Sequence, residues 1–249
     1  MVTSVAIVGA TGRMGRLATA LIDRTADFTV HAGIGSSDPI EQIEGADLVL
    51  DLTVPAVSPE IVAAALDRGI PVLVGTSGWT AERIAVLSHR MQELPELGVI
   101  IVPNFSLGSV LATRAATLLA PYFPSIEIVE AHHEGKVDSP SGTAIRTAEL
   151  IGAARGDAGP VFAPHADQRA RGQQVASVPI HSLRMSGVLA RQDVLFGGVG
   201  ETVTIRHETG SDDSYLAGLL LGLRAAPTAR GVIVGLDTLL DGLPLPGNG

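Results

Sequence analysis

The chain has 249 residues, no cysteine and a formal net charge of −9; hydrophobic residues make up 46% and charged residues 17%. That balance excludes a disordered chain, and the missing cysteines exclude disulfides, thiolate catalysis and cysteine-bound metals. An acidic chain without a Lys/Arg run argues against nucleic-acid partners. The start lacks a basic leader, and the densest apolar run, residues 216–223, is too short to span a bilayer, so the expectation is a cytoplasmic protein without a membrane partner.

The first hundred residues alternate short apolar runs with helical spacing. Strands are predicted at 5–8, 28–34, 48–52, 71–74 and 99–102, with helices at 13–24, 57–68 and 80–91. Such alternation indicates α/β architecture with a doubly wound, parallel, Rossmann-like sheet. After Asn104 the pattern changes. A helix is predicted at 107–120, its apolar stripe read as core packing, then a strand at 126–131 and a helix at 143–154. Residues 156–174, rich in Gly, Pro, Asp and Arg, read as a mobile loop. Strands at 178–183, 188–196 and 202–207 stand at hairpin-like spacing, and a helix follows at 215–224. This region reads as a second, α+β domain with a mixed sheet and helices on one face.

Gly9-Ala10-Thr11-Gly12-Arg13-Met14-Gly15 follows the first strand and opens the first helix. Gly9 permits the tight turn, Gly12 lets a pyrophosphate approach the backbone, and Gly15 allows close helix packing. A mere tight turn is the plainer alternative; position after the leading strand favours a dinucleotide. Gly75-Thr76-Ser77-Gly78 and Val102-Pro103-Asn104-Phe105 follow the fourth and fifth strands, where parallel sheets bind ligands, though each could be an ordinary loop. Asp51-Leu52-Thr53-Val54-Pro55 is similar in place and weaker in signal.

The densest chemistry lies at 127–144: Glu-Ile-Val-Glu-Ala-His-His-Glu-Gly-Lys-Val-Asp-Ser-Pro-Ser-Gly-Thr-Ala. A β-branched run ends in His132 and His133, Lys136 and Asp138 follow, and Pro-Ser-Gly-Thr reads as a turn feeding a helix. A helix start is a natural anion site, and imidazoles and an ammonium beside it suit proton transfer to a bound carboxylate. No metal is expected, because adjacent strand residues face opposite ways and no third ligand stands at usual spacing. Glu130 and Asp138 read as groups that orient and neutralise the cations; Ser141 or Thr143 reads as the helix cap. His31, His89, His165, His181 and His207 show no convergent context.

This stretch resembles the signature of the 4-hydroxy-tetrahydrodipicolinate (dihydrodipicolinate) reductase family, and the glycine fingerprint, Gly-Thr-Ser-Gly, Pro-Asn-Phe-Ser and Gly200-Glu201-Thr202 extend the resemblance over most of the chain. The resemblance implies reduction of a cyclic dicarboxylate by NADH or NADPH with loss of water, in diaminopimelate and lysine biosynthesis. It implies His132 as acid/base residue, Lys136 as proton donor, and His133 with the Gly142-Thr143 backbone as holders of substrate carboxylates. Gly9 to Met14, Gly75 to Ser77 and Val102 to Phe105 would contact the cofactor. It also implies a homotetramer, with the 188–196 strand a candidate interface. It implies a dinucleotide-binding domain at 1–105, completed by 216–249, and a substrate-binding and tetramerisation domain at 106–215, with domain closure assembling the reactive geometry. Two departures stand out: Asp212 where many members carry arginine, and Arg191 where relatives carry histidine.

Cofactor choice rests on the end of the second strand, where an NAD-selective site carries an acid for the ribose 2′-OH. Gly35 stands at the family's acidic position and Ser36 at the next, with Asp38 further along. Arg13 and the serines favour a 2′-phosphate, so both cofactors are expected to work, with NADPH equal or preferred. Two other readings stand beside this one: a different dinucleotide-dependent dehydrogenase, which would lack the His-His-Lys stretch, and a non-catalytic dinucleotide sensor, which would not need it.

Overall fold

Six parallel strands form the first sheet in a computed structural model that describes residues 2–240. They are β1 (Thr3–Val8), β2 (Phe28–Ile34), β3 (Leu48–Asp51), β4 (Val72–Val74), β5 (Gly98–Ile101) and β11 (Gly231–Val234), in the order β11-β5-β4-β3-β1-β2. Leu48, Val49, Leu50, Val72, Leu73, Val74, Val99 and Ile100 have no exposed surface, which is why these strands read as continuous apolar runs rather than alternating ones. Helices α1 (Arg13–Ile22), α2 (Ser58–Leu66) and α3 (Ala81–Met91) make the crossovers. The order reverses at β1, whose neighbours are β2 on one side and β3 on the other, so the crevice beyond the ends of β1 and β3 is the topological switch point. Backbone bonds continue past the strand ends there: Leu52 N–H donates to Val8 O and Gly75 N–H to Asp51 O, both at 2.8 Å.

The second sheet is mixed, in the order β10-β9-β6-β8-β7. Its strands are β6 (Ser125–His132), β7 (Gln173–Val175), β8 (Val178–Arg184), β9 (Ala190–Gly198) and β10 (Glu201–Thr209); β6 and β8 run parallel and the other pairs antiparallel. A parallel neighbour requires a crossover, and α5 (Gly142–Arg155) supplies it. Ile126, Ile128, Val194 and Phe196 pack with Ala144, Ala148 and Ile151 of α5 and with Ala116 of α4 (Leu107–Leu119). Two compact units result: one takes residues up to Leu107 and the chain from Tyr215 onward, including α6 (Leu216–Ala225) and α7 (Leu236–Leu240), and the other runs from Gly108 to Ser214. Residues 241–249, assigned above to the first domain, lie outside the described residues.

The parallel Rossmann-like sheet and the mixed sheet of an α+β domain match the structure, and three details correct the sequence expectations. The apolar stripe at 107–120 is core only in part: Ala116 and Ala120 are buried in the second core with Leu119 packed against it, while Leu111 and Leu118 are exposed. The 156–174 stretch is pinned where it leaves α5. Buried Arg155 donates to the carbonyls of Gly159 at 2.6 Å, Ala120 at 2.7 Å and Phe123 at 2.6 Å. His181 also has a context, since its Nε2 lies 2.7 Å from Glu127, which Arg171 also binds.

Candidate active site

The glycine-rich turn after β1 is built by necessity. Gly9 has φ +89°, and a Cβ there would stand 2.4 Å from Leu52 O; one on Gly15 would stand 2.2 Å from Gly9 O. Gly12 differs. It is the N-cap of α1, has extended backbone and offers no side-chain cap, and a Cβ on it would meet only Gly9 O, at 3.3 Å. Packing therefore accounts for Gly9 and Gly15, while Gly12 leaves the first-turn amides of α1 open to an anion. The residues present fit the pyrophosphate of a dinucleotide.

The loops after β3 and β4 are tied by Asp51, the last residue of β3, which has no exposed surface. Its Oδ1 accepts from Thr53 N at 3.0 Å, Thr53 Oγ1 at 2.6 Å and Thr76 Oγ1 at 3.0 Å, and its Oδ2 accepts from Ser58 Oγ. Ser58 Oγ in turn accepts the indole N–H of Trp79 at 2.9 Å. Thr76, the second residue of Gly-Thr-Ser-Gly, is thus fixed by Asp51. Asn104 Oδ1 accepts from Ser106 N at 2.9 Å and shapes the turn after β5.

In the second unit the alternation of β6 places Ile126, Ile128, Glu130 and His132 on the face toward α5. Glu130 and His132 are therefore neighbours on that face, and His132 Nδ1 lies 2.6 Å from Glu130 Oε2. His133 follows the strand and is exposed. Beyond it the chain turns, with Lys136 N–H donating to His133 O at 3.1 Å, and Lys136 Nζ pairs with Asp138 Oδ1 at 2.7 Å. Ser141 is the helix cap: its Oγ accepts from Ala144 N at 3.2 Å, and its own N–H donates to Glu130 Oε1 at 3.2 Å. The amides of Gly142 and Thr143 belong to the first turn and have no acceptor within the helix. A Cβ on Gly142 would meet nothing within 4 Å, so the space beside the first residue of α5 is open.

Sequence reasoning missed Arg184, the last residue of β8. Its Nη1 and Nη2 each donate to one oxygen of Glu130 at 3.0 Å. Glu130 and Arg184 are 54 residues apart, and only the parallel register of β6 with β8 brings them together. Burial pushes the Glu130 carboxyl up, but hydrogen bonds from His132 and Arg184 outweigh it and hold the group at about 2. Asp138 is likewise held below the usual carboxylate range, chiefly by the Lys136 hydrogen bond. The arrangement presents an imidazole set by a carboxylate, an ammonium and open helix amides in one segment of chain, suited to binding a carboxylate and moving protons beside it.

At the end of β2, the Asp38 carboxylate turns back to accept from Gly35 N–H at 2.7 Å. The Asp38 carboxylate thus lies beside position 35, where the sequence has glycine. Arg13, the first residue of α1, lies with its guanidinium 5.9 Å from the centre of the Tyr215 ring.

Residues 3–105 match the family model described as dihydrodipicolinate reductase, N-terminus, and residues 106–240 the one described as dihydrodipicolinate reductase, C-terminus. The chain is 58% identical over 241 residues to the 4-hydroxy-tetrahydrodipicolinate reductase of Clavibacter michiganensis subsp. michiganensis, covering 97% of this chain and 87% of that one. It is 45% identical over 243 residues to the enzyme of that name from Streptomyces griseus subsp. griseus, covering 95% and 97%. The dipicolinate-bound dihydrodipicolinate reductase of Paenisporosarcina sp. TG-14 superposes with a TM-score of 0.81 at 30% identity, covering 96% and 99%. A scyllo-inositol dehydrogenase from Lactobacillus casei, at 13% identity and a TM-score of 0.62, shares the fold alone. The chain belongs to the dihydrodipicolinate reductase family, the NAD(P)H-dependent oxidoreductases that reduce 4-hydroxy-tetrahydrodipicolinate.

Proposed function

We propose that this chain carries out the family reaction, reduction of 4-hydroxy-tetrahydrodipicolinate to tetrahydrodipicolinate with loss of water, through His132 and Lys136. The supporting observation is the Glu130-held His132 beside Lys136 and the open first turn of α5. His133 and the amides of Gly142 and Thr143 hold the substrate carboxylates. Two carboxylates entering this segment meet cationic and N–H donors in place of water. Lys136 Nζ, poised by Asp138, delivers the proton that balances charge on the reduced ring. His132, with Nδ1 committed to Glu130, exchanges its proton at Nε2.

The reduced nicotinamide, when bound, supplies the hydride. Gly9, Ala10, Thr11, Gly12, Arg13 and Met14 would hold its pyrophosphate, and Gly75, Thr76, Ser77, Val102, Pro103, Asn104 and Phe105 its nicotinamide half. Both NADH and NADPH serve, since Ser36, Ser37 and Arg13 can meet a 2′-phosphate while Asp38 opposes it. The protein works in the cytoplasm, consistent with the described residues containing no helix long and apolar enough to cross a membrane. It works as a homotetramer. Support comes from the face of the second sheet opposite α5, where Leu183 and Leu195 are 41% and 39% exposed. The test is oxidation of NADH or NADPH in the presence of the condensation product of pyruvate and aspartate semialdehyde. No substrate-dependent oxidation with either cofactor would reject the assignment.

A further inference from the structure

Glu130 has no exposed surface, and each of its oxygens takes two donors: Oε1 the Arg184 Nη2 and Ser141 N–H groups, Oε2 the Arg184 Nη1 and His132 Nδ1 groups. A buried ion pair is by itself weak evidence for stability or function. What sets this one apart is where the rest of the guanidinium goes. Arg184 Nη2 donates to Asp138 O at 2.5 Å and Nε to Lys136 O at 3.3 Å, so the same side chain grips the backbone on both sides of Val137. Val137 is almost wholly exposed, so the loop tip has no apolar packing of its own. One guanidinium thus joins the strand bearing His132, the loop bearing Lys136 and, through Glu130, the cap of α5.

We propose that Arg184 is the positioning residue of this active site: by fixing Glu130 against His132 Nδ1 and holding the carbonyls of Lys136 and Asp138, it sets which imidazole nitrogen meets the substrate and where Lys136 lies. The proposal rests on the assignment of His132 and Lys136 above. Arg184 does not touch substrate. A carboxylate facing Nδ1 requires a proton there, which leaves Nε2 for exchange. Arg184 helps keep Glu130 a carboxylate despite its burial, and of the groups that bond to Glu130 it alone carries a permanent charge. The His132 hydrogen bond also favours the carboxylate but comes from the ring being positioned; Ser182 of β8, a further donor, is neutral, as are Gln192 of β9 and the Ser141 amide, and Lys136 is paired with Asp138. Without the guanidinium, Glu130 takes up a proton at higher pH and stops accepting from His132.

The experiment compares Arg184→Met, Arg184→Lys, Lys136→Ala and the native protein, each checked for fold by circular dichroism and thermal melting. We expect folded Arg184→Met to lose about 10²-fold in kcat, the scale of a small misplacement of reacting groups, with KM for the cofactor within about twofold of native. The acid limb of its kcat/KM against pH should move to higher pH, and 15N–1H spectra of the His132 ring should show the Nδ1 proton weakened. Arg184→Lys keeps the charge without the two-pronged grip and should recover part of kcat. If Arg184→Met does not fold, Arg184→Lys decides, with a loss of about tenfold in kcat expected at unchanged melting temperature. A folded variant with native kcat, native acid limb and native His132 ring signals would overturn the proposal. Native turnover in Lys136→Ala would instead overturn the assignment beneath it, and the ring spectra, which need no turnover, would still decide what Arg184 does to His132.

Discussion

Asp51 at the end of β3 and Glu130 near the end of β6 are both fully buried carboxyl groups, and the fold satisfies them by opposite means. Asp51 takes its donors from hydroxyls and one amide: Thr53, Ser58 and Thr76. Glu130 takes a guanidinium and an imidazole as well as an amide. Hydroxyls can turn to donate or accept, so the Asp51 cluster can hold the loops around the candidate cofactor site without a charged partner. The Glu130 cluster contains the candidate proton-transfer residue, and any change in its charge is felt by His132. One carboxyl thus bonds only to scaffold groups, and the other borders the candidate proton-transfer residue.

The strongest test of that division removes a charge from the second unit alone. Lys136→Ala should lower turnover by about 10²–10⁴-fold, the usual worth of a positioned proton donor, and leave cofactor affinity nearly unchanged. Stopped-flow turnover with equilibrium cofactor binding would measure both. Normal turnover would remove Lys136 from the mechanism.

Glu130→Gln and Asp51→Ala then set the two carboxyls against each other. Glu130 sits at about 2 against an ordinary 4.5, so its stabilising share is present above about pH 4.5 and is lost as pH falls through about 2. The full share is about 3 kcal/mol, from 1.36 kcal/mol for each unit. Stability of Glu130→Gln should therefore fall less steeply than native between pH 5 and 2; parallel curves in urea unfolding would refute it. Asp51→Ala leaves the Thr76 and Ser58 hydroxyls without their acceptor, at a cost of about 2–4 kcal/mol. Trp79, the single tryptophan, should report it by a shift in fluorescence, since its indole bonds to Ser58.

These clusters also show what a reader of the chain can and cannot see. Strands β1 to β5 of the first sheet are legible within a residue or two because they are short apolar runs between turn residues, and the glycine fingerprint is legible because its parts are consecutive. The three-residue β7 and the late β11 carry too little pattern to stand out from their surroundings. His132, Lys136 and the α5 cap are close in sequence and could be read together. Arg184 could not, because Leu183-Arg184-Met185 holds no local signal and its partners arrive through the β6–β8 register. His181 fails for the same reason, its partner Glu127 being 54 residues away. The Asp51 cluster is legible only as a weaker candidate among the loops that follow parallel strands, because its meaning lies in the burial of one carboxyl.

A smaller change refines the second unit. With Ser141 serving as cap, the Thr143 hydroxyl is not needed to close the helix. Thr143→Val should weaken competition by pyridine-2,6-dicarboxylate by about fivefold, near 1 kcal/mol, because the backbone donor remains. Unchanged inhibition would limit substrate binding at this residue to its amide.

The smallest expected effect concerns a third carboxylate, unlike both others. Asp38 is exposed and takes one backbone donor, Gly35 N–H, at the end of β2. A cofactor's ribose 2′-OH could donate to its remaining lone pairs, whereas a 2′-phosphate would meet a like charge. Two unit charges about 4 Å apart in water repel by about 1 kcal/mol. Ser36, Ser37 and Arg13 act in the other direction, so native kcat/KM values for NADH and NADPH should lie within about tenfold, or ~1.4 kcal/mol. Asp38→Asn keeps the hydrogen-bond acceptor toward Gly35 and removes the charge, and should raise the NADPH-to-NADH ratio about fivefold. Gly35 sets the limit on this effect: a Cβ there would stand 3.2 Å from Asp38 Oδ2, so the carboxylate borders the place of a side chain at position 35 without filling it. A ratio unmoved by Asp38→Asn would place the carboxylate out of reach of the ribose, leaving the neutral serines and Arg13 to govern the choice.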